Sequence, residues 1–340
     1  MHVKLKPVAE QVIVITGASS GIGLATAQEA ARRGAKVVLA ARSDEALETA
    51  VREITAQGGE ALSVHCDVAD RAEVEMVARA AIERFGRIDT WVNNAGVGIW
   101  ARIEELPETD MRRLFETNFW GVVNGSLAAI PHLDSQGGAL VNVGSMTSDR
   151  AFPLQGIYSA SKHAVKGFTD ALRMELEERG AAISVTLIKP GSIGTPMPQH
   201  VKNYTGQEAK FPPPVYAPEE VAAAILHAAE RPVRDLFVGS SAHTGSALSQ
   251  IAPRLLDRIS ERLLIKAQKA PRPATPTDNL HHGQAEAQVR GDHAGSMIRP
   301  SLYTRARLNP GMASAVVGGV ALAAFGAAAA RRRRRIRLAA

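Results

Sequence analysis

The sequence holds a single cysteine, Cys66, among 340 residues. An intrachain disulfide is therefore excluded, and the composition fits a reducing compartment, so the cytoplasm is the expected location of the main body. Acidic residues are missing from the last ten positions, which carry Arg331 to Arg335 and Arg337. Those six arginines account for the whole formal charge of +6, so the main body is balanced and the basic character belongs to the tail. No reader fold or interleaved aromatic residue accompanies them, and no nucleic-acid partner is expected. The apolar run Val12-Ile13-Val14-Ile15 is too short for a secretory signal and reads as a buried first strand. His281, His282 and His293 stand without a cysteine cluster or a metal motif, which leaves them as solvated histidines and gives no metal site.

What is present begins with length. One core stops growing near about 250 to 300 residues, so the chain suffices for one large α/β domain with a surplus at its C-terminus. Val12 to Thr16 reads as a strand, Gly17-Ala18-Ser19-Ser20-Gly21-Ile22-Gly23 as a turn, and Leu24 to Arg33 as a helix ended by Gly34. A dinucleotide phosphate site requires that order: glycine lets the backbone approach the pyrophosphate, and a helix N-terminus offers unpaired N–H groups. The pattern repeats with a strand at Lys36 to Ala41, a helix at Asp44 to Gln57 broken by Gly58-Gly59, and a strand at Ala61 to Cys66. Alternating short strands and helices predict a Rossmann-like doubly wound parallel sheet in a three-layer α/β/α arrangement.

The second strand ends Leu39-Ala40-Ala41-Arg42-Ser43, with no carboxylate before Asp44. A carboxylate there would bind the adenosine ribose of NAD, whereas a guanidinium pairs with a 2′-phosphate, so NADP is expected over NAD. The other reading of Arg42 is an ordinary solvated residue. Asp67 follows the third strand, and Asn93-Asn94-Ala95-Gly96 follows a fourth at Ile88 to Val92; ligands collect beyond such strand ends. Asp67 is placed to accept from the adenine amino group, with Ala95 and Gly96 letting the backbone pass the adenosine. Either site alternatively satisfies only its own loop.

A fifth strand, Ala139 to Val143, leads into Gly144-Ser145, and Ile157 to Arg179 reads as a long helix with Tyr158 and Lys162 at i and i+4 on one face. A neighbouring ammonium favours phenolate and is expected to lower a tyrosine pKa from about 10. Such a tyrosine exchanges a proton with an alkoxide near neutral pH, and Ser145 donates a hydrogen bond to the same oxygen. No acid–histidine relay adjoins Ser145, which argues against a nucleophilic serine.

Taken in order, Thr16 to Gly23, Asp67, Asn93 to Gly96, Asn118, Ser145, Tyr158-Ser159-Ala160-Ser161-Lys162 and Pro190-Gly191-Ser192-Ile193-Gly194-Thr195 resemble the short-chain dehydrogenase/reductase family from about Val12 to about Val238. The resemblance implies Tyr158 as acid or base, Ser145 on the substrate oxygen, Lys162 also on the nicotinamide ribose, and Asn118 ordering a water-mediated proton path through a helix distortion. It gives Pro190 to Thr195 as the turn at the nicotinamide carboxamide. The expected catalytic set is thus Asn118, Ser145, Tyr158 and Lys162. The expected cofactor set is Gly17, Ser19, Ser20, Gly21, Ile22, Gly23, Arg42, Asp67, Val68, Asn94, Ala95, Gly96, Tyr158, Lys162, Pro190, Gly191, Ile193 and Thr195. The implied activity is NADP(H)-dependent interconversion of a small-molecule carbonyl and a secondary alcohol. The implied assembly is a homodimer or homotetramer. The rival expectation is a dinucleotide-binding scaffold or a membrane-associated interaction protein without useful turnover.

The substrate loop is expected at Met197 to Tyr216, with His200, Tyr204, Phe211 and Pro212-Pro213-Pro214. Pro218 to Glu230 reads as a helix and Arg234 to Gly239 as the last strand, closing a catalytic domain over 1–240. Residues 241–270 form an amphipathic helical extension, from the apolar and basic periodicity of Leu248 to Ala270, that packs on the enzyme, extends a subunit contact or lies on a membrane. Residues 271–310, with five prolines, read mostly as linker. Gly311 to Ala330 is uncharged over 20 residues but contains nine Ala, four Gly and one Ser. It is long enough for a transmembrane helix yet weakly apolar, and a simple anchor would push the arginine cluster across the membrane. A helix lying against an anionic membrane surface avoids that conflict; a disordered or protein-binding tail is the alternative.

Overall fold

A computed structural model of the chain describes residues 3–274, 278–293, 295–309 and 311. Its centre is a seven-stranded, all-parallel sheet of β1 (Val12–Thr16), β2 (Lys36–Ala41), β3 (Glu60–His65), β4 (Thr90–Asn93), β5 (Gly138–Val143), β6 (Ile183–Pro190) and β7 (Asp235–Val238). The spatial order is β7-β6-β5-β4-β1-β2-β3. The register sets Ile13 beside Val37 on one side and Thr90 on the other. The order reverses between β1 and β4, and that switch point opens a crevice at the strand C-termini.

The strands are buried on both faces because their residues divide by parity. Ile13, Ile15, Val37, Leu39 and Val141 pack with Leu24 and Ala27 of α1 (Gly21–Arg32), Leu47 and Ile54 of α2 (Asp44–Ala56), and Val221 and Ile225 of the helix Pro218–Glu230. Val12, Val14, Val38, Ala40 and Leu140 pack the other way. They meet Val74 and Val77 of α3 (Arg71–Phe85), Leu133 of α5 (Gly121–Gln136), and Leu172 and Leu176 of α6 (Gly156–Glu178). The short α4 (Glu108–Phe115) runs into α5 through a π-helical turn at Glu116–Trp120.

Local chemistry sets the ends of these elements. Asp70 caps α3 by accepting from the Ala72 and Glu73 N–H groups at 2.8 and 3.3 Å. Gly86, at φ 79°, ends it in the left-handed conformation that glycine tolerates.

Beyond residue 240 the structure departs from the expected pattern. The amphipathic run is a broken helix: Ser240–Ile251, then Pro253–Ile259 after a proline restart, a π-helical turn Ser260–Leu264 and the short Ile265–Ala267. It stops before Ala270 because Lys269–Pro273 is a strand paired antiparallel with Gln207–Ala209. Ile251, Leu255, Ile259 and Leu263 stay exposed. The stretch read as linker is largely docked: Leu280 is fully buried, and the helix Leu302–Leu308 packs against β7, with Thr304 Oγ1 accepting from the Gly239 N–H at 3.1 Å. Proline and polarity hid this docking, because its anchors are isolated leucines and backbone hydrogen bonds with no periodicity. Among the described residues no helix is long and apolar enough to cross a membrane. The expected span and arginine cluster lie, Gly311 apart, outside the described residues.

Candidate active site

The crevice at the switch point holds most of the expected residues. Gly17 takes φ +65°, and a Cβ there would lie 2.6 Å from the Ala95 Cα, so the glycine turn and the loop after β4 touch backbone to backbone. Asn94 fastens them: its N–H donates to Thr16 Oγ1 at 3.1 Å and its side-chain amide to the Thr16 and Gly17 carbonyls at 2.9 and 3.1 Å. Gly17, Ser19, Ser20, Gly21 and Ile22 line the cleft, as do Asn94, Ala95 and Gly96. Gly23 does not; a Cβ there would stand 2.2 Å from the Gly17 carbonyl oxygen, so its role is the close approach of helix and turn.

The N-terminus of α1 carries backbone donors without a side-chain cap from Ser20. Among the described residues the Ile22 and Gly23 N–H groups meet no acceptor, whereas the Gly21 N–H donates to the Gln288 carbonyl at 2.8 Å. Of the two without an acceptor, Ile22 lines the cleft, and a free N–H at the positive end of a helix fits a pyrophosphate.

At the other end of the turn Arg42, Asp67 and Val68 line the same cleft. Arg42 is engaged by its own chain, donating to the Asn279 and Leu280 carbonyls at 2.6 and 3.1 Å. Asp67 accepts from Arg113 at 2.5 Å and from the Ala69 N–H at 3.1 Å. Arg113 was not legible in the sequence, since it sits on α4 among other charged residues and only folding carries it to β3.

The residues expected to be catalytic face the opposite end. Ser145, Tyr158 and Lys162 line the cleft together with Pro190, Gly191, Ile193 and Thr195. Lys162 is buried, donates from Nζ to the Val143 carbonyl at 2.9 Å, and lies 5.8 Å from the centre of the Tyr158 ring. Burial pushes the Tyr158 phenol up to about 12, opposed by a hydrogen bond with the Ser145 side chain. Burial likewise draws Lys162 down to about 8. This corrects the expectation of a tyrosine lowered toward neutrality: a desolvated ammonium tied to a carbonyl does not offset the desolvation of the phenol. Asn118 lies in the π-helical turn, behind the cleft and not on its lining. Its Oδ1 accepts from the Val97 N–H at 2.8 Å, and its Nδ2 donates to the Val97 carbonyl at 2.9 Å and to Ser161 Oγ at 3.2 Å.

Over the catalytic end the wall is apolar and aromatic: Trp100, Phe152, Met197, Phe211 and Pro212, with His200 and Gln155 as polar interruptions. Trp100 and Phe211 meet edge to face at 6.0 Å. Tyr204 points elsewhere, donating to Asp110 at 2.7 Å. His281, exposed as expected, also approaches Asp110, at 3.3 Å. Trp100, Phe152 and Gln155 carry no motif and were not legible. Asn279, Gly283 and Gln284 also line the cleft, from the segment read as linker.

Comparison with known proteins agrees with this geometry. The family model for short chain dehydrogenase matches residues 11–205. An uncharacterised oxidoreductase of Bacillus subtilis, YxnA, is 45% identical over 322 residues, covering 93% of this chain and 90% of its own. The putative oxidoreductase SadH of Mycobacterium tuberculosis is 34% identical over 249 residues, 71% of this chain and 90% of its own. A short-chain dehydrogenase/reductase of Burkholderia phymatum, solved in complex with NAD, superposes with a TM-score of 0.65 at 28% identity, over 75% of this chain and 96% of that one. An alcohol dehydrogenase of Thermococcus sibiricus complexed with 5-hydroxy-NADP gives 0.59 at 31% identity, over 67% and 95%. The sheet order, the glycine turn and these matches together establish that this chain belongs to the short-chain dehydrogenase family of oxidoreductases.

Proposed function

We propose that the protein interconverts a carbonyl and a secondary alcohol with NADP(H), and that Tyr158 moves the proton. The observation that carries this reading is the convergence of Ser145, Tyr158 and Lys162 on the end of one cleft whose other end carries the glycine turn and Arg42. The Ile22 N–H group would hold the pyrophosphate, Arg42 and Arg113 the adenosine ribose and its 2′-phosphate, and Pro190 to Thr195 the carboxamide. When bound, the nicotinamide supplies or accepts the hydride.

The remaining chemistry belongs to the chain. Ser145 holds the substrate oxygen where charge develops. Tyr158 gives that oxygen its proton in reduction and takes it back in oxidation. The Lys162 charge favours the phenolate left behind, and Asn118 fixes the loop after β4 against α6 through Val97 and Ser161. The apolar wall of Trp100, Phe152 and Phe211 suits a hydrophobic carbonyl compound.

The test follows NADPH and NADH absorbance with purified protein and a panel of carbonyl compounds. Tyr158→Phe is expected to keep nucleotide binding while turnover falls by about 10²- to 10⁴-fold, the usual contribution of a positioned acid. Turnover equal to the native protein would remove Tyr158 from the mechanism. Tight nucleotide binding with no turnover on any carbonyl would favour the scaffold reading.

A further inference from the structure

The C-terminal extension crosses the dinucleotide cleft from end to end. At the adenosine end the Asn279 and Leu280 carbonyls accept from Arg42, and the Leu280 carbonyl also accepts from Arg113 Nε at 3.2 Å. The Leu280 side chain is fully buried in a cluster with Val97, Ile99, Ala101 and Leu114. Gly283 lies so close to β2 that a Cβ would sit 3.0 Å from the Arg42 carbonyl carbon and the Ser43 nitrogen. In the middle, the Gln288 carbonyl accepts from the first N–H of α1. At the nicotinamide end, the Gly291 N–H donates to the Gly194 carbonyl at 3.1 Å, and a Cβ on Gly291 would stand 2.4 Å from the Thr195 carbonyl oxygen.

We infer that Asp278 to Gly291 is a strap that closes over the bound nucleotide and gates its passage in and out of the cleft. This rests on the cofactor reading proposed above. The strap takes the Gly21 N–H and leaves that of Ile22 free, so strap and pyrophosphate occupy neighbouring places on one helix end and do not compete for the same donor. Asn279, Gly283 and Gln284 complete the wall of the same cleft that Lys162 and Tyr158 line.

The strap is built to detach. Apart from the buried Leu280 and the partly buried Ala287 and Val289, its side-chain ties are His281–Asp110 at 3.3 Å and the ion pairs Lys202–Asp278 at 2.9 Å and Arg290–Glu219 at 2.5 Å, all three partly solvent-exposed. Exposed pairs of this kind are individually weak. Segments with few buried contacts open without unfolding the whole, and such openings often set the rate of ligand release. The 45% identical B. subtilis relative matches over 322 residues, too long a match to leave this segment out.

The experiment is stopped-flow fluorescence of NADPH with the full chain, measuring association directly and dissociation by chase with excess NADP+. Leu280→Ala removes the buried anchor, and Asp278→Ala removes one surface anchor at a residue that does not line the cleft. The expected result is a tenfold or greater rise in both association and dissociation rates for Leu280→Ala and a smaller rise in both for Asp278→Ala, with Kd changing less than either rate. Asp278→Ala, at the surface, keeps the test open should Leu280→Ala melt early by circular dichroism. Unchanged rates in the folded variants would overturn the strap, as would faster dissociation with unchanged association, the signature of a wall contact and not of a gate. A native protein that binds neither NADPH nor NADH would overturn the cofactor reading itself, and the strap with it.

Discussion

Arg42 serves the fold with the same guanidinium that is proposed to read the 2′-phosphate. Its guanidinium donates to two carbonyls of the extension, which fixes the fork beside Asp67 and Arg113. Charge-assisted pairing with a phosphate contributes about 1.5 to 3 kcal/mol. Arg42→Asp is therefore expected to weaken NADPH by roughly ten- to a hundredfold relative to NADH, read by calorimetry with both nucleotides. Equal losses for the two would mean that Arg42 holds the extension without reading the 2′-phosphate. The catalytic pair yields a pH dependence of definite sign. With Tyr158 near 12 and Lys162 near 8, the acid form of the tyrosine persists across the working range while the lysine charge is lost above about 8. Carbonyl reduction under saturating NADPH should hold steady below that pH and decline above it. A profile flat to pH 10 would take the Lys162 charge out of the step.

Among the elements, those with their own punctuation were the readable ones. β1 and β2 follow the sequence expectation residue for residue because each is a short run of mainly β-branched and apolar residues, with Gly17 directly after the first and Gly34 and Ser43 each separated by one residue from the ends of the second; α2 begins at Asp44 because Ser43 caps it, its Oγ accepting from the Ala46 N–H at 3.4 Å. The broken helix after residue 240 was less readable, since the i, i+4 apolar spacing of Ile251, Leu255, Ile259 and Leu263 predicts a buried stripe and tertiary packing leaves it exposed. Exposure also marks two long helices on one face of the sheet, with Leu127 on α5 and Met174 on α6, and with Trp120 in the turn before α5. If those helices form the subunit contact implied by the resemblance, Leu127→Asp combined with Met174→Asp is expected to lower the mass measured by light scattering to that of one chain, with the fold intact by circular dichroism. Burying an unpaired carboxylate at such a contact is costly. An unchanged mass would place the contact elsewhere or show the chain to be a monomer.

For the molecule as a whole, legibility followed locality. The glycine turn, Tyr158 and Lys162 announced themselves because their chemistry depends on spacings of a few residues, and the cleft brings them together. Trp100, Gln155, Asn279, Gly283 and Gln284 reach that cleft, and Arg113 reaches Asp67 at its edge, only through tertiary packing, so no window of sequence contains the reason for their placement. Gln155 makes the point: its partner is the side chain of Gln268, more than a hundred residues away.

The position of the strap in the chain also orders events during synthesis. The ribosome delivers the N-terminal portion first, and domains fold as they emerge. β1 to β7 and the glycine turn are complete by Val238, whereas the strap begins at Asp278. A nascent chain therefore presents an open cleft for the time needed to make the intervening residues. On the strap reading, nucleotide that enters in that interval would be enclosed when the extension docks, and later openings of the strap would exchange it.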